Sequence, residues 1–216
     1  MRVRVKICGL ADEAALEAAC EAGVDAVGLV LAPSPRRVSL ARARVLLARV
    51  PEGIERVLVF ACATRAELGA ALELEADALQ AEVDSDWPEL PARMYALPVL
   101  RDGADLAARA TEVVAPREFP AHGLRGALVL DGSAGGGRGL HADETRARRL
   151  AAQRPLVLAG GLAPENVAAR IRAVRPFAVD TSSGVEGVRG IKDIERVRAF
   201  VRAVRALENE TLEDLR

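Results

Sequence analysis

Aromatic residues, histidines and cysteines are scarce in this 216-residue chain, and each shortage excludes a class of function. Aromatics make up only 3% of the residues, too few for the stacking platforms that bind single-stranded nucleic acid. The two histidines and three widely spaced cysteines include no CxxC pair. Neither a metal site nor a disulfide framework is therefore expected.

The chain also lacks an excess of charge of either sign and any long apolar run. Thirty basic residues oppose 31 acidic ones, and only Lys6 and Lys192 among the basic residues are lysines. The formal net charge of −1 leaves no basic surface for nucleic acid or an anionic membrane. No apolar stretch approaches the roughly 18 residues of a membrane-spanning helix, and the first ten residues alternate like a strand. We therefore expect a cytoplasmic protein with no nucleic-acid or membrane partner.

What the chain does have is a regular alternation of short β-branched runs and longer segments of helical period. The predicted strands are Val3–Ile7, Ala26–Leu31, Arg56–Phe60, Ala78–Gln80, Tyr95–Leu100, Gly126–Leu130, Leu156–Ala159 and Phe177–Val179. The predicted helices lie near 12–22, 40–49, 65–75, 104–114, 144–152, 164–174 and 192–207, with a weaker one at Trp87–Met94.

Eight strand–helix units predict an α/β fold with a parallel sheet, either a closed barrel or an open doubly wound sheet. The count of eight favours the closed (βα)8 TIM barrel, although about 250 residues is more usual for that fold. We predict a single barrel domain over residues 1–208, followed by a frayed tail over 209–216.

In a barrel of this kind the functional residues lie where the strands end, at the carboxyl face. Cys8 ends the first strand and shares its inward face with Lys6; burial as a small structural residue is the alternative for Cys8. Asp131 ends the sixth strand, where partial burial favours a general acid, and capping of the next turn is its alternative. Arg36 lies in a proline-stiffened loop after the second strand, where anion binding and simple solvation are equally compatible with the sequence.

Two motifs of small residues follow the seventh and eighth strands. Gly160 and Gly161 form the first, and Ser182, Ser183 and Gly184 form the second. Backbone N–H groups and hydroxyls at these two places would converge on one point, the phosphate site commonly found in this fold. Because Gly-Gly turns are common, either motif alone is weak, but the two together predict a phosphate-binding site.

The order and spacing of these motifs resemble the phosphoribosylanthranilate isomerase family of tryptophan biosynthesis. The matching segments are KICG at 6–9, SPR at 34–36, Asp131 with the glycine-rich loop after it, GGL at 160–162, PENV at 164–167, DTSSGVE at 180–186 and GIKD at 190–193. The resemblance implies that Cys8 is the general base and Asp131 the general acid. It also implies that Arg36 contacts the anthranilate group and that Asp180 binds substrate.

The resemblance implies an aldose–ketose isomerase that turns N-(5-phosphoribosyl)anthranilate into 1-(2-carboxyphenylamino)-1-deoxyribulose 5-phosphate by an Amadori rearrangement. Two proton movements suffice for this reaction, so no cofactor and no metal are expected, and the chain would be a monomer or homodimer. Two alternatives are a related phosphosugar isomerase of histidine biosynthesis, which has aspartate in place of Cys8, and a non-catalytic phosphosugar-binding barrel.

The chain departs from the family pattern at three places. Gln80-Ala81-Glu82-Val83 stands where the family usually has Gln-Leu-His-Gly, and Arg138 stands in the loop after Asp131 where a small Ser or Thr is usual. Leu140-His141-Ala142 stands where an aromatic-rich segment is usual. None of these departures removes one of the groups assigned to catalysis. Lys6 has two possible partners, the Cys8 thiol and the carboxylate of Asp180 on the adjacent strand.

Overall fold

The computed structural model describes residues 2–113, 123–132 and 141–213, with side chains described as far as residue 207. Arg138 and most of the glycine-rich loop after Asp131 lie outside the described residues. Eight parallel strands pair in chain order, and the first also pairs with the eighth, so the sheet closes into a barrel. The predicted TIM barrel is confirmed.

All eight predicted strands are present, with their ends displaced by at most a few residues. They are β1 (Arg4–Cys8), β2 (Ala26–Val30), β3 (Glu55–Val59), β4 (Ala78–Glu82), β5 (Tyr95–Arg101), β6 (Leu128–Asp131), β7 (Leu156–Leu158) and β8 (Ala178–Thr181). A short antiparallel hairpin that the sequence pattern did not indicate follows β8, made of β9 (Glu186–Val188) and β10 (Ile191–Lys192).

The helices alternate with the strands as expected, except between β4 and β5. They are α1 (Glu13–Glu21), α2 (Leu40–Leu47), α3 (Arg65–Ala71), α4 (Leu106–Glu112), α5 (Glu144–Ala151), α6 (Val167–Val174) and α7 (Ile194–Glu213), with a 3₁₀ turn at Ser183–Val185. The separate tail over 209–216 stays a prediction, although α7 continues through residue 208 to Glu213. Within the described ranges, no helix is both long and apolar enough to cross a bilayer.

The weak helix predicted at Trp87–Met94 is wrong. The segment is irregular except for a turn before β5. It contains Pro88 and Pro91, which have no backbone N–H to donate, and the ring of Pro91 would clash with the carbonyl of residue 87 in a helix. The segment connects β4 to β5, and Trp87 and Leu90 within it pack against the larger apolar core.

Capping side chains define where four of the helices begin. Asp12, Ser39 and Asp143 each accept a hydrogen bond from a backbone N–H in the first turn of α1, α2 and α5. Thr64 does the same for α3 and forms a capping box with Glu67. These bonds satisfy N–H groups that a helix leaves unpaired at its start.

Two apolar cores result from the alternation of side chains along each strand. The larger core lies between the strands and the surrounding helices, and the smaller one fills the barrel interior with Ala, Val and a few larger residues. On β2 the inward positions are Ala26, Gly28 and Val30, and Gly28 pairs directly with Cys8 of β1. Such small inner residues leave room for polar side chains at the carboxyl end of the barrel.

Candidate active site

A cleft at the carboxyl end of the strands brings together nearly all of the residues predicted for the site. Its lining includes Cys8, Arg36, Asp131, Gly160, Gly161, Asp180, Ser182 and Ser183. Five strands (β1, β2, β6, β7 and β8) or the loops that follow them supply these residues, so only closure of the barrel makes them neighbours. Gly184 is the exception, because it lies behind the cleft wall and does not line it.

The Cys8 thiol lies beside a buried ion pair. Lys6 is completely buried, and its Nζ donates to Oδ2 of Asp180 at 2.8 Å, across a register that pairs β1 with β8. A Cβ added to Gly28 would lie 3.1 Å from both the Cys8 Sγ and the Lys6 Nζ. The missing side chain at Gly28 therefore leaves space in which the thiol and the ammonium group face one another.

Burial and charge act against each other in this group. Burial raises the pKa of the Cys8 thiol, while the positive charge of Lys6 opposes that rise. Burial alone would lower the pKa of Lys6, but the charges of Asp180 and Cys8 outweigh it and raise that pKa. Burial also raises the pKa of the Asp180 carboxyl. The two groups face each other directly, so each charge offsets part of the cost of burying the other.

Asp131 is held by two donors at the other side of the cleft. Nη1 of Arg101 donates to its Oδ2 at 2.5 Å, and the N–H of Gly132 donates to its Oδ1 at 2.8 Å. Arg101 also donates from Nε and Nη2 to Oε1 of Glu82, at 2.8 and 2.5 Å. The ends of β4, β5 and β6 are thus joined by a Glu82–Arg101–Asp131 chain of charges.

Sequence reasoning missed Arg101, and it treated Glu82 only as a departure from the family pattern. Both residues end strands, as Cys8 and Asp131 do, and that position was the signal available for finding them. Their contact requires β4 and β5 to be neighbours in the barrel, which the chain pattern implies only once the barrel is assumed.

Arg36 already forms an ion pair with Glu186. Its Nε and Nη2 donate to the two carboxylate oxygens of Glu186, at 2.5 and 2.9 Å, and both side chains are buried. Nη1 of Arg36 forms no hydrogen bond to any residue within the described ranges. Arg37, the next residue along the chain, is exposed. The geometry narrows the predicted anthranilate contact to one edge of the Arg36 guanidinium.

Glu186 is shared by two cations. Lys192, whose side chain is 1% exposed, donates to Oε1 of Glu186 at 2.9 Å, and the Gly190 N–H donates to Oε2. Burial alone would raise the pKa of Glu186, but these bonds and that of Arg36 lower it. One carboxylate between Arg36 and Lys192 leaves the group with a net positive charge, which suits an anionic ligand.

The two glycines of the predicted phosphate site have left-handed backbone conformations. Gly160 and Gly161 have φ angles of +88° and +66°, a region that side-chain-bearing residues rarely adopt. Among the described residues, neither the Gly161 N–H nor the Ser183 N–H donates a backbone hydrogen bond. Asn166 stabilises the first loop by accepting from the Ala163 N–H and donating to the Gly161 carbonyl, both at 2.9 Å.

The loops that follow β7 and β8 are also in contact with each other. Thr181 Oγ1 donates to the Leu162 carbonyl at 2.6 Å, and a Cβ on Gly184 would come within 1.8 Å of that same oxygen. Lys192 donates to the carbonyl and the hydroxyl of Ser182, at 2.9 and 3.2 Å. Gly184 therefore acts by allowing the loops to touch, not by lining the cleft.

Three further candidate side chains, Cys20, Cys62 and His141, do not line the cleft. Cys20 is half-buried against the helical core and Cys62 is exposed. His141, also exposed, donates from Nδ1 to the Gly160 carbonyl at 3.1 Å. Within the part of the chain that the structure describes, no group of three or more His, Cys, Asp or Glu side chains is arranged to hold a metal ion.

Comparison with known proteins agrees with this geometry. A family model described as N-(5'-phosphoribosyl)anthranilate (PRA) isomerase matches residues 5–203. The chain belongs to this family. The N-(5'-phosphoribosyl)anthranilate isomerase of Rhodospirillum rubrum is 44% identical over 216 residues, covering 93% of this chain and 97% of that one. The isomerase of Azotobacter vinelandii is 42% identical and covers 94% and 98%.

Solved structures of the family have the same fold. The phosphoribosyl anthranilate isomerase of Thermotoga maritima superposes with a TM-score of 0.79 at 31% identity, over 94% of this chain and 99% of that one. A second isomerase structure, with reduced 1-(o-carboxyphenylamino)-1-deoxyribulose 5-phosphate bound, has a TM-score of 0.77 at 30% identity and the same coverage. A third crystal structure is of monomers generated from the dimeric Thermotoga maritima enzyme.

Proposed function

We propose that this chain converts N-(5-phosphoribosyl)anthranilate into 1-(2-carboxyphenylamino)-1-deoxyribulose 5-phosphate by an Amadori rearrangement, without a cofactor. Membership of the isomerase family supports the reaction. The observation that carries the proposal is that Cys8 and Asp131 line one cleft from β1 and β6, with a phosphate-shaped pair of loops beside them. A base, an acid and an anion site in one cleft are what an aldose–ketose isomerisation of a phosphosugar requires.

Ring opening comes first and uses Asp131. The protonated carboxyl donates to the furanose ring oxygen as the bond from that oxygen to C1 breaks. The anthranilate nitrogen supplies its lone pair to C1, and a Schiff base forms. Arg101 and the Gly132 N–H hold the Asp131 carboxylate that remains after the proton has left.

Proton removal from C2 is assigned to Cys8. The thiolate takes the C2 proton, and the electron pair of that bond forms the C1=C2 double bond of an enolamine as the nitrogen becomes neutral. Tautomerisation returns a proton to C1 and removes the proton of the C2 hydroxyl, which gives the ketone. Protons are conserved over the whole cycle, so the reaction needs no oxidant or reductant.

The anionic ends of the substrate have separate places. Gly160, Gly161, Ser182 and Ser183 would surround the 5'-phosphate with backbone donors and hydroxyls. The free edge of Arg36 would donate to the anthranilate carboxylate in a charge-assisted contact. Asp180 would accept from a sugar hydroxyl, because its Oδ1 is buried and has no partner within the described ranges.

A turnover assay tests the proposal. Phosphoribosylanthranilate is fluorescent, and its loss of fluorescence on addition of the purified chain is the expected result, with the ketose product identified by mass and by borohydride trapping. The Cys8→Ser protein is the matched control and should leave the fluorescence nearly unchanged. Binding of substrate with no conversion by the unaltered chain would support a non-catalytic phosphosugar-binding barrel instead.

A further inference from the structure

We propose that Lys6 is a positioning residue for the general base: its ammonium group, paired with Asp180 and directed at the same space as the Cys8 sulfur, favours the thiolate form of Cys8 that removes the proton, and Asp180 limits the effect. The inference rests on the proposed function, in which Cys8 removes a proton from carbon. It adds a cause for the reactivity of a buried thiol, which the family motif does not supply.

The geometry places the cation where a thiolate would form. Lys6 and Cys8 are two residues apart on β1, so their side chains leave the strand on the same, inward face. Both the Nζ and the Sγ lie 3.1 Å from the point where a Cβ of Gly28 would be. Gly28 contributes no side chain at that point, so both atoms border the same small space.

The composition of the chain supports a specific need for lysine at this position. Twenty-eight of the 30 basic residues are arginines, and the two lysines are both buried beside the same cleft. A guanidinium is planar and far larger than an ammonium group, and it would not fit the narrow space against Gly28. In a chain that otherwise uses arginine, Lys6 and Lys192 stand where a compact point charge is required.

Three charged groups act on the Cys8 thiol, and they shift its ionisation in opposite directions. Lys6 and Lys192 favour the thiolate, whereas the carboxylate of Asp180 disfavours it. The cation of Lys6 has the largest effect of the three. Lys192 is occupied by Glu186 and Ser182, so its influence on the thiol is weaker.

Alkylation of Cys8 measures the thiolate without depending on turnover, because the thiolate is the form that reacts. The test uses the full chain with Cys20→Ser and Cys62→Ser, so that Cys8 is the only thiol. The rate of reaction with iodoacetamide is followed from pH 6 to pH 11, and the modified residue is confirmed by mass. Thiolate absorbance near 240 nm gives an independent midpoint.

The pH midpoint of alkylation should shift in opposite directions in Lys6→Met and Asp180→Asn. Lys6→Met should raise the midpoint of alkylation by at least about one pH unit, which lowers the thiolate fraction at neutral pH roughly tenfold. Asp180→Asn should lower the midpoint and speed the reaction. Lys192→Met, the matched control at the second buried lysine, should raise the midpoint by less than Lys6→Met does.

Lys6→Met leaves Asp180 buried without its partner, so that variant is a candidate for misfolding. The double variant Lys6→Met/Asp180→Asn contains no buried charge at this pair, so it tests the effect of Lys6 even if Lys6→Met does not fold. Its midpoint should lie above that of Asp180→Asn alone, because only Lys6 differs between the two proteins. Circular dichroism and thermal melting establish that each variant is folded.

Three results would overturn the inference. These are an unchanged midpoint in Lys6→Met, shifts of the same sign in Lys6→Met and Asp180→Asn, or a larger shift in Lys192→Met. Shifts of the same sign are what simple loosening of the barrel would give, since it would expose Cys8 in both variants. Failure of the proposed function has a different signature: Cys8→Ser would retain turnover, whatever the alkylation profiles show.

Discussion

The two sides of the cleft hold similar sets of charges in different surroundings. On the base side, Lys6 is completely buried and the side chain of Asp180 is 7% exposed. On the acid side, Arg101 is 26% and Asp131 18% exposed. Charges interact more strongly where water is excluded, and solvent weakens them where it can reach. Loss of a charged group on the base side should therefore reduce kcat more than loss of a charged group on the acid side.

The difference in exposure also suits the two proton transfers. On the base side, water would solvate the Cys8 thiolate and weaken it as a base toward a carbon-bound proton. Exclusion of water from this side therefore favours proton removal. An acid that is consumed in every turnover has to be reprotonated, and access to solvent allows that. The partly open Glu82–Arg101–Asp131 chain meets this second requirement.

The largest expected effect on kcat is that of Cys8→Ser, on the base side. Serine is a far weaker acid of similar size, so the fold should survive while kcat falls about 10⁴-fold, the upper end for acid–base catalysis. Steady-state kinetics from fluorescence loss measures it. Cys20→Ser and Cys62→Ser should leave kcat largely intact, and near-full activity of Cys8→Ser would refute the assignment of the base.

Asp131→Asn should have a smaller effect, because solvent near this side of the cleft can partly replace the proton donor. We expect kcat to fall roughly 10²–10³-fold while binding of the phosphate end is unchanged. The affinity for inorganic phosphate, measured as competitive inhibition in the wild type and by calorimetry in the variant, provides the control. A loss as large as that of Cys8→Ser would break the comparison between the two sides.

Arg36→Ala should act on binding more than on chemistry. Loss of a charge-assisted contact, together with the loss of one of the two cations that hold the buried Glu186, should raise KM roughly 10–100-fold. Arg37→Ala is the matched control one residue away and should change KM little, because Arg37 is exposed. Equal effects of the two substitutions would show that Arg36 does not bind the carboxylate.

Arg101→Gln tests how far the acid side depends on its own positioning residue. Without the bond to Oδ2, Asp131 loses one of its two holding contacts, and kcat should fall about tenfold with little change in KM. Arg101→Lys should recover part of the loss. Arg109→Gln, which removes an exposed pair with Asp84, serves as the control and should have no effect on kcat.

The smallest effect concerns stability at low pH on the rim beside β5. Hydrogen bonds from Arg146 lower the pKa of Asp102, so this pair stabilises the fold above the ordinary pKa of an aspartate. The contribution, below about 1 kcal/mol, should disappear as the pH falls from about 4 through the lowered pKa. Urea unfolding from pH 5 to pH 2 should show a shallower pH dependence for Arg146→Gln; an identical slope would contradict this contribution.

Local patterns in the chain were enough to predict the barrel and much of its site. Strand and helix positions depend on periodicity over a few residues, and Cys8, Asp131 and the two glycine motifs follow from where strands end. Prediction failed at Trp87–Met94, where two prolines outweighed the helical composition, and at the short β9–β10 hairpin, whose strands are too brief to show a period.

The sequence by itself thus determined the order of the elements and the residues at their ends, because those signals lie within single segments. Only the tertiary structure decided the partners. Lys6 and Asp180 are 174 positions apart, and Arg36 and Glu186 are 150 apart. Closure of the barrel brings β1 against β8, and the burial that accompanies it turns distant charges into strong pairs. No local pattern contains that information, since a side chain's partner and its exposure to water both depend on the whole fold.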